Sequence, residues 1–112
     1  MTMTKRMLIA VAALAIFVSG NVAAADIEAG KKKVQEVCAA CHGIDGAAPI
    51  MPEYPKLSGQ YPDYLQKALR DYKSGARKNP IMAGFAQGLT DKDIENVAAY
   101  FSTQPSVLAT RY

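Results

Sequence analysis

The chain has 112 residues, a length that accommodates one small domain and no more. Its 13 basic and 10 acidic residues include Lys5 and Arg6, which sit in a leader-like segment. Without that pair, 11 basic residues oppose 10 acidic ones, and a net charge of +1 argues against nucleic acid or an anionic membrane surface as partner.

Residues 1–25 read as a secretory signal peptide. Lys5 and Arg6 form a basic start, and the apolar run Met7–Val18 is 12 residues long. That is well short of the roughly 20 a membrane-spanning helix needs. Ala23, Ala24 and Ala25 supply the small-x-small pattern of a cleavage site. An uncleaved anchor is the alternative. The expected mature domain is residues 26–112, exported to the periplasm of a Gram-negative bacterium, with no stable membrane insertion after cleavage. A domain of that size is marginal when built on side chains alone. Its one cysteine pair would close too short a loop to help much. Something else is expected to complete the core.

Three helices are expected in residues 26–112, and nothing there reads as a strand. In the first, Ile27, Gly30, Val34, Val37 and Cys41 recur at steps of three or four, with Asp26 placed to cap. Gly30 costs up to about 1 kcal/mol inside a helix, so another helix is expected to approach it closely. The second runs from about Pro62 to Ser74, with Pro62 in the first turn and Gly75 just past the end. The third runs from about Asp91 to Gln104, opened by Thr90 and Asp93 as a capping box with the shorter acid. The long stretch from Gly43 to Gln60 and the linker from Ser74 to Gly88 read as irregular loops wrapped around something.

The chemistry concentrates in VCAACHG, Val37 to Gly43, which holds the chain's two cysteines and its one histidine. At helical spacing Cys38, Cys41 and His42 share a face. A structural zinc site would need a fourth ligand. A thioredoxin-like redox pair would need a strand before its helix. A plain disulfide remains open in an oxidising compartment. The Cys-x-x-Cys-His order is also the signature for covalent c-type haem, with two thioethers from the cysteines and the imidazole on the iron. Given an export signal and an undersized core, haem is the reading adopted, with the disulfide or redox pair as the alternative.

A second axial ligand cannot be a histidine. Met51 lies nine residues beyond His42, too near to round a porphyrin edge, whereas Met82 lies 40 residues on. Thioether sulfur raises the potential of such haems, so Met82 is the expected distal ligand, set in a flexible loop between Pro80 and Gly84. The alternative is that Met82 merely fills core space.

The segments CAACHG, YPKLSGQYPDYLQKALRDYKSGAR and NPIMAGFAQGLTDKDIENVAAYF together resemble class I cytochromes c. The likeness is to small monohaem proteins of the c-553 type and to one half of the dihaem cytochromes c4. It runs in the family's order across nearly the whole of residues 26–112. The resemblance implies an all-α fold, about three main helices and loops around one covalent haem c, with the first and last helices crossing. Tyr100 or Phe101 would then pack on Gly30. It further implies that a proline carbonyl, from Pro49 or Pro52, fixes the His42 ring. Leu57 and Tyr64 would pack on the porphyrin, and Tyr54 or Arg77 would meet a propionate. Each of these last four could equally be ordinary core or surface.

The function implied is one-electron transfer by a monomeric, non-enzymatic carrier acting with periplasmic or membrane-bound redox proteins. A dehydrogenase's cytochrome subunit or dedicated acceptor is the alternative, followed by a haem sensor or enzyme with an open iron site. The run Lys67, Arg70, Lys73, Arg77 and Lys78 could steer an acidic partner, or be a solvated helix face.

Overall fold

The computed structural model describes residues 24–108, so nearly all of the signal-peptide segment lies outside the described residues. Every regular element in them is helical: α1 (Ile27–Lys33), a π turn (Val34–Cys38), α2 (Ala39–His42), α3 (Pro62–Ser74), α4 (Pro80–Gln87) and α5 (Asp91–Thr103). No helix among the described residues is long and apolar enough to cross a membrane.

Local chemistry accounts for most boundaries. The Asp26 carboxylate accepts the Ala29 amide and starts α1. Pro62 opens α3, where its missing N–H is no loss, and Gly75 closes it at φ +85°, a backbone angle that suits glycine. Thr90 and Asp93 form the expected reciprocal capping box at the start of α5.

Two expectations are corrected. The first helix does not continue as α-helix through the cysteines. It widens over Val34–Cys38, where the Ala39 amide bonds back to the Val34 carbonyl. Nor is the linker around Met82 irregular. It contains α4, because Asn79 accepts the Ile81 and Met82 amides, both at 3.1 Å, and Pro80 sits in the first turn. An Asn-Pro start was a readable signal. Gly84 and Gly88 obscured it by resembling loop punctuation.

The crossing of α1 with α5 is the tightest joint. A Cβ built on Gly30 would overlap the Asn96 carbonyl oxygen, lie 2.6 Å from its carbon and sit 3.2 Å from the Tyr100 Cβ. Of the two aromatic residues proposed for this contact, Tyr100 makes it. Phe101 instead packs over Gly46. Beside the joint, the buried Asn96 side chain accepts the Asp26 amide at 2.8 Å, and the Tyr100 hydroxyl donates to the Ile44 carbonyl at 2.8 Å. Val34, Leu65, Val97, Ala98, Tyr100 and Phe101 form the core. Each large apolar member contributes roughly 1.5–3 kcal/mol on burial.

The capping box carries a pH dependence. The Asp93 carboxyl is held below the usual aspartate range chiefly by the Thr90 backbone amide, helped by the Thr90 hydroxyl and by the charges of Lys33 and Lys73, against the opposing effect of burial. A depressed folded value means that its stabilisation is complete above about pH 4 and is lost as pH falls through that folded value. Asp93→Asn should cost about 1 kcal/mol at neutral pH, and the gap to the parent should close in acid. Denaturant melts at pH 7 and pH 2.5 check this, and a pH-independent gap would contradict it.

Candidate haem site

The π turn and α2 carry the three residues of the motif. Cys38 and Cys41 are free, half-buried thiols, and His42 is buried. Burial pushes the Cys38 thiol up to about 11 against the opposing charge of Lys33, so it stays protonated at neutral pH.

The His42 ring places Nδ1 2.9 Å from the Pro55 carbonyl oxygen. A carbonyl only accepts, so Nδ1 carries a proton and Nε2 is the nitrogen left for a metal. The partner is neither Pro49 nor Pro52. The Ile50 amide bonds the Cys41 carbonyl, which ties that part of the loop to the backbone end of α2 and away from the ring. The chain then turns, and the Leu57 amide reaches the Gly46 carbonyl at 2.8 Å, laying Pro55 beside the imidazole. A proline carbonyl was the right kind of partner. Which proline depended on the return path of the loop.

Cys38, Cys41 and His42 line a cavity of about 240 Å³. Met82 lines the same cavity from α4, so two residues 40 apart in the chain converge on one space. Leu57 and Tyr64 also line it, the first half-buried and the second half-exposed, as do Tyr54 and Arg77. Arg77 lies 4.9 Å over the Tyr72 ring, and its Nη1 stands 3.5 Å from the Tyr64 hydroxyl. Sequence reasoning missed Phe85, Ala86 and Leu89 as lining residues because α4 went unrecognised. Among the described residues no three His, Cys, Asp or Glu side chains cluster as a metal site. What the cavity offers is an apolar space edged by two thiols, an imidazole and a thioether. That donor set fits a flat apolar macrocycle whose metal lacks axial ligands.

A family model described as cytochrome c matches residues 27–105. The chain belongs to the cytochrome c family. Cytochrome c4 of Stutzerimonas stutzeri is 48% identical over 91 residues, covering 73% of this chain and 42% of that protein. Cytochrome c-554(548) of Halomonas halodenitrificans is 44% identical over 84 residues, 72% of this chain and 99% of that one. The crystal structure of reduced recombinant cytochrome c4 from Pseudomonas stutzeri superposes with a TM-score of 0.67 at 46% identity, covering 73% of this chain and 47% of that chain. This cytochrome therefore spans about half the length of the cytochromes c4 it matches. It has the class I cytochrome c fold, and the spacing of Cys38 and Cys41 is the mark of one covalent haem c.

The basic run of α3 is largely compensated within the fold. Lys67 pairs with Asp71, and Arg70 approaches Asp91 and Glu95 at 4.0 and 3.9 Å. Lys73 donates to the Leu89 carbonyl. Arg77 and Lys78, among the described residues, make no ion pair, and Arg77 of the two lines the cavity. The compensating acids on α5 lie some 20 residues downstream, beyond the reach of a local charge count.

Proposed function

We propose that this cytochrome is an exported, periplasmic one-electron carrier. In this reading Cys38 and Cys41 hold the haem through thioethers, and His42 and Met82 are its axial ligands. The observation that carries it is the convergence of His42, oriented by Pro55, and Met82, placed by the Asn79 cap, on one cavity. The haem supplies a one-electron ferric–ferrous couple. The chain's task is to hold that couple with little rearrangement. Pro55 keeps the His42 proton on Nδ1 and leaves Nε2 to give. Met82 offers sulfur from the first turn of a capped helix, which favours the reduced state. With His42 and Met82 holding the iron, protein atoms would keep substrate and water away from it. Leu57, Tyr64, Tyr54 and Arg77 line the cavity, where the first two would pack on the porphyrin and Tyr54 or Arg77 would meet a propionate.

Residues 1–25 act as the export signal and residues 26–112 as the working domain, consistent with the small-residue cleavage pattern at Ala23–Ala25. Partners are other redox proteins rather than nucleic acid, given a domain charge near zero.

Met82→Ala tests the axial reading in the exported holoprotein. Haem should remain with the polypeptide through acid extraction, the weak far-red band of the ferric His/Met pair should vanish, and the reduced protein should bind carbon monoxide rapidly. A band that survives would remove Met82 from the iron. Haem released by acid would remove the thioethers.

A further inference from the structure

α4 packs against α3, and Ala86 is its one buried residue. A Cβ at Gly84 would meet nothing within 4 Å, and Ile81 and Phe85 are 60% and 45% exposed. Ile81, Met82 and Phe85 line the cavity, so the side of α4 away from α3 is turned to that space rather than to another helix. Two polar contacts close the base of this segment. The Gln87 side-chain amide donates to the Lys73 carbonyl at 2.6 Å, satisfying an end-of-helix acceptor of α3. In the other direction the Lys73 ammonium donates to the carbonyl of Leu89, a residue that lines the cavity. Residues 73 and 87–89 thus clasp each other reciprocally, with the Asn79–Met82 turn held between. Neither Lys73 nor Gln87 belongs to the core cluster of α1, α3 and α5.

We propose that Lys73 and Gln87 are positioning residues for the sixth iron ligand: their clasp sets how often α4 swings outward and releases Met82. This rests on the reading of Met82 as the axial ligand. An outside ligand reaches the iron in the fraction of molecules that are open, so its apparent affinity rises in proportion to that fraction. Losing one such hydrogen bond should raise the open fraction about five- to tenfold.

The experiment is imidazole titration of the ferric holoprotein, alongside far-red absorbance and a denaturant melt followed by helical circular dichroism. Gln87→Ala and Lys73→Met are expected to strengthen imidazole binding about five- to tenfold each. The far-red band should weaken, and the global melt should move much less. Lys73→Arg, which restores a cationic donor, should return binding toward the parent. Met82→Ala separates the two readings. If it fails to strengthen imidazole binding, Met82 is not the ligand and the axial reading falls. If it strengthens binding while the clasp variants behave as the parent, the clasp has no such role. Hydrogen exchange of the parent supplies an independent check. The Ala83 amide, bonded to the Asn79 carbonyl, should exchange through local opening well before the amides of α5. Exchange of both together would overturn the hinge.

Discussion

Replacing Gly30 with valine is expected to abolish the cooperatively folded state. The contact is backbone against backbone, since the overlapping atoms are the carbonyl oxygen and carbon of Asn96. No rotamer change relieves that overlap. Separating the helices would also lengthen the Asp26–Asn96 bond and withdraw Tyr100 from the Ile44 carbonyl. Overpacking a well-fitted core costs about 1–3 kcal/mol where side chains can adjust. Here they cannot, and the whole domain has on the order of 5–15 kcal/mol to lose. Gly30→Ala should be milder. Alanine regains up to about 1 kcal/mol of helix propensity but sets the same Cβ against the Asn96 carbonyl, so a net loss above about 3 kcal/mol is expected. In a domain of this size each kcal/mol lowers Tm by about 4–8 °C. A circular-dichroism melt reads both variants, and a valine variant melting within a few degrees of the parent would show that the crossing has slack.

The second large effect is expected from Cys38→Ala combined with Cys41→Ala. Without thiols the haem is not attached, and the cavity of about 240 Å³ stands without its contents. At about 24 cal/mol per Å³, an empty space of that size corresponds to roughly 6 kcal/mol. The cavity opens to solvent, so this is an upper figure. It is nonetheless comparable to the entire stability of a small domain. The double variant should therefore lack a cooperative thermal transition while retaining some helix. A sharp melt, at the parent's midpoint or below it, would show that the helices form a sufficient core by themselves.

Features written in adjacent residues were legible in the sequence. Pro62 and Gly75 mark both ends of α3, Thr90 and Asp93 start α5, and the Cys-x-x-Cys-His run announces the cofactor, because each involves atoms within one or two turns of chain. Gly30 was legible for a related reason. A glycine within an otherwise regular apolar stripe has a cost that only close packing offsets. Features that depend on where the chain returns were not. Pro55 rather than Pro49 or Pro52 meets His42 because of backbone bonds between residues 46 and 57. The charge on α3 is balanced by acids on α5 that only the fold brings near. α4 lies between these cases. Its Asn-Pro start was local, but its apolar, glycine-containing body looked like loop because what it faces is a cofactor cavity rather than another protein layer.

The π turn between Val34 and Cys38 has a consequence for phase. An α-helix advances about 100° per residue. A turn that accommodates one extra residue therefore rotates everything after it by about that angle. Gly30 and Val34 are aligned to α5, whereas Cys41 and His42 follow the widened turn and are aligned to the cavity. The same helical rod thus serves two directions, and the spacing between them is counted in residues as well as in ångströms. A chimera that borrowed its first helix from a relative lacking the widened turn would carry an intact Cys-x-x-Cys-His sequence aimed about a quarter-turn away. Exchange of this segment between relatives keeps its meaning only when the junction leaves the whole run from Gly30 to His42 undivided.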